Sequence, residues 1–498
     1  YTRTSASRPS DSFPGLMALM TGGTPKSTGV YYDVAYDRVL APPAADTGNG
    51  LLHGDCHQRQ INGTSTEYEE GVDFHQNFLN GFGPGGPYTT LDGGPLSIDP
   101  SKLPRDPFSE PMPCAPVYPW NFIRTNTIYG VIHAAGLRTA WADKHAVYAA
   151  VSGPTGTSVP SNVDDYYSPD VNSDVIPLPD VTTATGVSCN PTPEAGGSWT
   201  DSFKNIRCYD QLKVNAVVRW IHGRTHLNLS AAPVPAIFGM NFQAVSVAQK
   251  LIENNVKGGY KDAAATPTDD MRDAIEYVDA AVGQMVDALE DQHLLESTVI
   301  IITAKHGQSP IDTNRFFPIP GHAKLNGEPP SAWIAADLPD SELNQIGPTE
   351  DDISLLWLKS GSNTTADVAV LEANATAAGI GEIFYGPSLL PMFNKPGLPA
   401  DGGDPRTPDI IVQPNAGVVY TKSLSKQSEH GGFAQDDTNV MMLVSNPALR
   451  RRTVTTFVET TQVAPTILWV LGLDPNALDA VRKEGTAVLP GLSFRQDQ

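Results

Sequence analysis

Apolar positions in this chain fall into two rhythms, and their alternation sets the fold class. Leu16, Met17, Leu19 and Met20 form an apolar helical face that follows a polar run ending in Ser12. Pro14 suits a first helical position there, and Gly22-Gly23 stop the helix. Ile128, Val131 and Ile132 recur at helical spacing before Gly136, and residues 137–141 then read as a short buried strand. Val214, Val217, Val218 and Ile221 make a further helical face, and residues 235–240 are strand-like. Thr268 caps a long helix carrying Ile275, Val278, Val282, Met285, Val286 and Leu289. It runs into residues 298–304, a β-branched stretch typical of a central parallel strand. Another helix is expected over 366–378, buried strands over 409–412 and 440–444, and an apolar helix over 460–468 before Gly472. Helix followed by buried strand, repeated, predicts an α/β domain.

Two long stretches lack either rhythm. Residues 38–125 and 151–205 are rich in Gly, Pro, Asn, Asp, Ser and Thr, and read as loop-rich insertions. The whole of 1–498 is then one domain, with these insertions over one edge as a cap. Glycines at 81–86 lack the strand and helix context of a nucleotide loop. No internal repeat is visible.

The apolar fraction of 40% is ample for a core. A formal charge of −22 argues against a nucleic-acid polymer or an anionic membrane as main partner, and requires an anionic ligand to be met by local cations. No apolar run reaches 18 residues, so no membrane span is expected. The four cysteines allow three connectivities, of which Cys56–Cys114 with Cys189–Cys208 is the expected one. N-glycosylation triplets begin at Asn62, Asn228, Asn363 and Asn374. Together these features point to a secreted or extracellular protein.

Candidate chemistry gathers at element ends. At a helix start, Ser12 is either a plain capping residue or a hydroxyl placed where amide groups and the helix dipole stabilise an alkoxide or a phosphate. Lys305-His306 follow the β-branched run directly, and Asp143-Lys144-His145 follow the strand over 137–141. The carboxyl ends of such strands are where doubly wound sheets bind ligands, although a solvated loop with one ion pair explains 143–145 equally well.

Ser12-Phe13-Pro14, the helix after it, Thr21-Gly22, Pro25 and Gly29 resemble the nucleophile segment of the type I phosphodiesterase/nucleotide pyrophosphatase family, within the alkaline phosphatase superfamily. Lys305-His306-Gly307-Gln308 resembles that superfamily's Ser-Asp-His-Gly motif, and Ser428-Glu429-His430-Gly431-Gly432-Phe433 a motif whose His binds metal. The resemblance implies an alkaline-phosphatase-like fold, a mainly parallel sheet sandwiched by helices with a loop-rich cap. It implies hydrolysis of a small-molecule phosphoester, foremost a diester. Ser12 would be the nucleophile, where the family usually has Thr. His306 and His430 would hold a divalent metal, with zinc the expected ion, one or two per chain. It also implies a first core strand ending in a metal-binding Asp upstream of the nucleophile segment, which is absent before Tyr1.

Departures fall on the metal ligands. Asn241 and Val245 stand where the family has an Asp and a His; an amide ligates weakly or donates a hydrogen bond, and Val cannot ligate. Lys305 replaces a ligating Asp, and an ammonium repels a neighbouring cation. Asp33 stands where the family has an Asn that touches phosphate; as members of the catalytic group, Lys305 either neutralises a phosphate oxygen or pairs with Asp33 in a mutual exchange of charge. Two other classes fit the same residues: a sulfatase-like or phosphomonoester hydrolase, and a catalytically degraded binding protein.

Overall fold

A computed structural model of the chain describes residues 1–48, 50–69, 98–171, 181–189, 199–319, 327–339, 349–423 and 425–494. Much of both loop-rich insertions, including 81–86, lies outside the described residues. In chain order, the elements that position the site begin with strand β1 (Thr4–Ser5), helix α1 (Ser12–Thr21) and helix α2 (Ile128–Ala134). Strands β2 (Ala140–Ala142) and β3 (Asp165–Tyr167) follow, then helices α3 (Asn205–Ile221) and α4 (Asp269–Asp291). Strands β4 (Ile300–Thr303), β5 (Thr349–Glu350), β6 (Ser354–Leu356), β7 (Ile380–Tyr385) and β8 (Ile410–Pro414) come next. The chain closes with β9 (Asn439–Val440), β10 (Met442–Ser445), β11 (Val458–Glu459) and helix α5 (Val463–Val470).

Helix α1 differs in detail from expectation. Asp11 is its N-cap, accepting the Phe13 amide at 3.1 Å, so Ser12 is the first helical residue and Pro14 the third. A short carboxylate satisfies an orphan amide better than a hydroxyl set one residue later. Gly22 ends the helix with φ 73°, donating its amide to Ala18 O. Phe13, Leu16, Met17 and Met20 pack with Ile128 and Ile132 of α2 and with Ala464 and Leu468 of α5. Each such side chain contributes about 1.5–3 kcal/mol on burial.

A second core joins α3 and α4 to Ala140 and Ala142 of β2. Thr268 caps α4 as expected, accepting the Met271 amide at 3.3 Å. Strand β8 carries the third and fourth cores on its two faces. Ile410 and Val412 pack with Val368 and Leu371, while Ile411 packs with Tyr31, Tyr32 and Phe393. The period-two geometry of a strand produces that division.

The described strands form several small sheets. The largest, in the order β5-β6-β8-β7, is antiparallel. Parallel pairing joins β2 to β3 and β1 to β11, and isolated parallel bridges place Ile237 beside Thr139 and Met240 beside Ala142. The β-branched run forms β4, but pairs antiparallel with β10, Ile301 opposite Val444. Hydrophobic pattern reports burial and says little about a neighbour's direction, which accounts for the difference from the expected parallel strand. No helix among the described residues is long and apolar enough to cross a membrane.

Gly15 sets the distance between α1 and the end of β4. A Cβ there would lie 2.4 Å from Lys305 O and 3.1 Å from Lys305 Cβ. Gly15→Ala is therefore expected to cost about 1–3 kcal/mol despite the better helix propensity of Ala. Urea denaturation checks this, and an unchanged or raised midpoint would contradict the close approach.

Candidate functional site

Three distant stretches of backbone converge at the start of α1. Residue 431 pairs with residue 10: the Ser10 amide donates to Gly431 O at 3.2 Å. Residue 429 pairs with residue 309, the amide of each donating to the carbonyl of the other at 2.8 and 2.9 Å. The strand-like run 428–431 is thereby threaded between 8–12 and 307–310. His430 is delivered next to Ser12 and His306, and Tyr32 steadies it by donating its hydroxyl to His430 O at 3.1 Å.

Ser12 Oγ lies 3.2 Å from His306 Nε2. His306 Nδ1 is 2.7 Å from Gly307 O. A carbonyl oxygen only accepts, so Nδ1 carries the proton and Nε2 presents a lone pair to the Ser12 hydroxyl. Burial, then the neighbouring Lys305 ammonium, push His306 down to about 3, so the ring is neutral. The His306 and His430 rings lie 4.0 Å apart between centroids, tilted by 34°. His430 is held well below its ordinary value by burial and then by His306, Lys250, Lys144 and Lys305.

Lys305 Nζ is buried and has no hydrogen-bond partner among the described residues; it stands 4.8 Å over the Tyr148 ring. Desolvation pushes it down to about 8, against the attraction of Asp143 and, more weakly, Asp11. The expected Asp33–Lys305 pair is thus not formed. Asp33 instead donates its backbone amide to Asp11 Oδ2 at 3.0 Å, and its own Oδ1 accepts the Val34 amide. Asn241 donates to Asp143 Oδ1 at 3.0 Å and accepts from Gln243 Nε2 at 3.0 Å, so its amide is committed to neighbours. Val245 packs against the α3–α4 core. Loop 143–145 joins the site through Asp143 and Lys144.

Asp11 is the residue that sequence reasoning missed. It is fully buried, caps α1, tethers the Asp33 backbone and leaves Oδ1 facing His430 Nδ1 at 3.5 Å. A carboxylate directly before a helical Ser-Phe-Pro was a usable signal, because Asp is among the best N-caps.

A divalent metal does not fit this donor set. A catalytic zinc takes three protein ligands, and two imidazoles sharing one tetrahedral zinc would have centroids about 5 Å apart. Here the two rings lie only 4.0 Å apart, tilted by 34°, and a buried ammonium stands beside them. Among the described residues no group of three or more His, Cys, Asp or Glu is arranged to hold a metal ion.

Both expected disulfides are formed, Cys56–Cys114 and Cys189–Cys208. Of the glycosylation triplets, Asn62, Asn228 and Asn363 are exposed, while Asn374 is half-buried and donates its amide nitrogen to Val370 O at 2.8 Å.

A family model described as type I phosphodiesterase / nucleotide pyrophosphatase matches residues 96–437. That range contains Asn241, Lys305, His306 and His430, with Ser12 and Asp33 upstream of it. Among curated proteins none matches. Among solved structures, murine ectonucleotide pyrophosphatase / phosphodiesterase 5 is similar at TM-score 0.48 and 13% identity, over 95% of this chain and 87% of that one. The human protein of the same name aligns at TM-score 0.46 and 12% identity, over 94% and 85% of the two chains. Likeness at that level carries no residue's role across.

Beneath the His430 loop, burial raises the Asp437 carboxyl to about 7, only partly offset by Ser309 and Asp352. Asp352, which accepts from Ser309 Oγ at 2.8 Å, is also raised by burial and then by Asp437. An acid with a raised folded pKa gives stability that is full below its unfolded value and lost as pH rises through the folded one. That stability is thus lost between about 4 and about 7. His306 and His430, both depressed, act in the opposite sense, so the difference between proteins is the informative quantity. Melting temperatures at pH 5 and pH 7.5 are expected to shift upward with pH by more in Asp437→Asn than in wild type. Identical shifts in the two proteins would show that Asp437 titrates normally.

Proposed function

The chain belongs to the type I phosphodiesterase / nucleotide pyrophosphatase family, and from that premise we propose that it hydrolyses a small-molecule phosphoester, foremost a diester, with Ser12 as nucleophile. The observation that carries this reading is the 3.2 Å contact between Ser12 Oγ and the unprotonated Nε2 of His306 at the start of α1. A hydroxyl in contact with a base, placed at a helix N-terminus, is the arrangement that nucleophilic attack on phosphorus requires. Ser12 would attack in line, forming an Oγ–P bond as the leaving-group oxygen departs, and water would then release the phosphoryl group.

Local charge supports an anionic ligand. Although the chain carries −22, Lys305, Lys144 and Lys250 all act on the two histidines. An anion near Ser12 would feel the charge of these lysines in a partly desolvated setting where attraction is strong.

The family is typically divalent-metal dependent. His306 and His430 are the residues that zinc, one ion or two, would have to use here. Their 4.0 Å spacing is a poor match for it, so no step of this reading passes through an ion. The same misfit favours the second reading, a binding protein that retains the pocket and has lost turnover.

The wider reading is one alkaline-phosphatase-type α/β unit over 1–498, a mainly parallel sheet sandwiched by helices, with 38–125 and 151–205 inserted. The pairing of β1 with β9 and β11 supports it, since it ties the first residues to the last quarter of the chain. A secreted protein bearing glycans at Asn62, Asn228 and Asn363 is in keeping with two disulfides and exposed triplets; Asn374 is the poorest acceptor because its amide nitrogen is engaged.

The test is a panel of bis(4-nitrophenyl) phosphate, 4-nitrophenyl phosphate and 4-nitrophenyl sulfate. Wild type is expected to prefer the diester, and Ser12→Ala to lose activity by about 10³-fold or more with an unchanged melting temperature. Turnover retained in Ser12→Ala would sink the nucleophile, and preference for monoester or sulfate would move the substrate class.

A further inference from the structure

We propose that Ser12, His306 and Lys305 form a phosphoryl-transfer centre that works without a metal ion, His306 Nε2 taking the Ser12 proton and the Lys305 ammonium holding the charge on the non-bridging oxygens. The inference rests on the reading of Ser12 as nucleophile and adds how it is activated.

Three observations support it. First, the Gly307 carbonyl fixes the His306 tautomer through the 2.7 Å contact to Nδ1, as an orienting third group does in a nucleophile–base–orienter triad. The His306 Nε2 lone pair therefore faces Ser12 Oγ at 3.2 Å. Second, residues that would complete a metal centre are occupied elsewhere. Asn241 is bonded to Asp143 and Gln243, and Val245 lies against the core. Third, the buried Lys305 Nζ has no hydrogen-bond partner among the described residues. An unpaired buried ammonium is costly, and a phosphoryl oxygen would supply the missing acceptor. A cation and Lys305 cannot share that place without repulsion.

The proton and bond inventory closes. Oγ–P forms while P–O to the leaving group breaks, and the Oγ proton passes to Nε2 and on to the departing oxygen. In the second half water attacks phosphorus, gives its proton to Nε2, and Oγ–P breaks as that proton returns to Ser12.

A fluorophosphonate probe tests the activation without knowledge of the substrate, because Ser12 Oγ–P forms as P–F breaks and fluoride leaves. The full chain is exhaustively dialysed against chelator, its metal content measured, and labelling of Ser12 followed by mass spectrometry. Stripped protein is expected to label within about twofold of untreated protein, Ser12→Ala not at all, and His306→Gln about 10²-fold more slowly. A tenfold or greater loss on stripping, restored by zinc, would overturn the metal-free centre while leaving Ser12 as nucleophile. Absence of Ser12 labelling in every form, zinc-loaded protein included, would overturn the nucleophile reading itself, and this inference with it. The comparison of stripped and untreated wild type needs no variant, so a His306→Gln protein that fails to fold leaves the test intact.

Discussion

The backbone pairing of residue 10 with 431 and of 309 with 429 is the constraint on which the site depends. These bridges join stretches separated by more than a hundred residues, and without them Ser12, His306 and His430 have no reason to meet. Loop closure over such separations is costly in entropy, so the bridges form only once the surrounding cores are in place. Phe13, Leu16 and Met17 fix α1 against α2 and α5, and the α3–α4 core fixes the Asp143–Asn241 side. The site is therefore a product of tertiary packing, with Ser12 in the first turn of α1 and Lys305, His306 and His430 on short, irregular stretches beside it.

Buried charge is handled unevenly around this point. Asp210 and Lys213 form a fully buried pair at 3.0 Å, and the Asp210 carboxylate also accepts the Gln243 and Ala244 amides. Glu429, next to His430, has both Lys250 and Lys426 as ion partners. In each case the desolvation cost is offset by a close opposite charge or by amide donors. Lys305 stands apart, with an aromatic face and distant carboxylates but no hydrogen bond. Such contacts offset only part of the cost of burying an ammonium. Structural ion pairs rigidify; Lys305, just past the end of β4, keeps an unsatisfied ammonium over the Tyr148 ring.

Much of this was readable from residue order. The helical period and the glycine stop placed α1, and the β-branched run ending at Lys305-His306 placed the second histidine-bearing stretch, because burial periodicity is a local property. Both disulfides followed from four cysteines in two neighbourhoods. What could not be read was relational. The direction in which β4 pairs, the tethering of Asp33 by Asp11, and the failure of Lys305 to pair with Asp33 depend on how separate segments of the chain are rotated together. Charge complementarity made Asp33 a reasonable partner for Lys305, yet the Asp33 backbone is turned toward Asp11 and the Lys305 side chain toward Tyr148. The capping role of Asp11 is local and carries its own signal, since Asp directly before a helical start is among the best N-caps.

Net charge and site charge together restrict what kind of anion can be held. At physiological ionic strength fields are screened within about 8 Å, so the acidic remainder of the surface neither draws in nor rejects a small ion at long range. An extended polyanion is different, because its further phosphates would lie against the acidic exterior of a chain carrying −22. A small phosphoester exposes only one charged centre, and that centre can be placed beside Lys305 with Lys144 and Lys250 behind it. The same short range explains why the lysines can depress both histidines without opposing a ligand. Their charge is felt where water is excluded, and an anion entering there replaces solvent that the buried ammonium lacks.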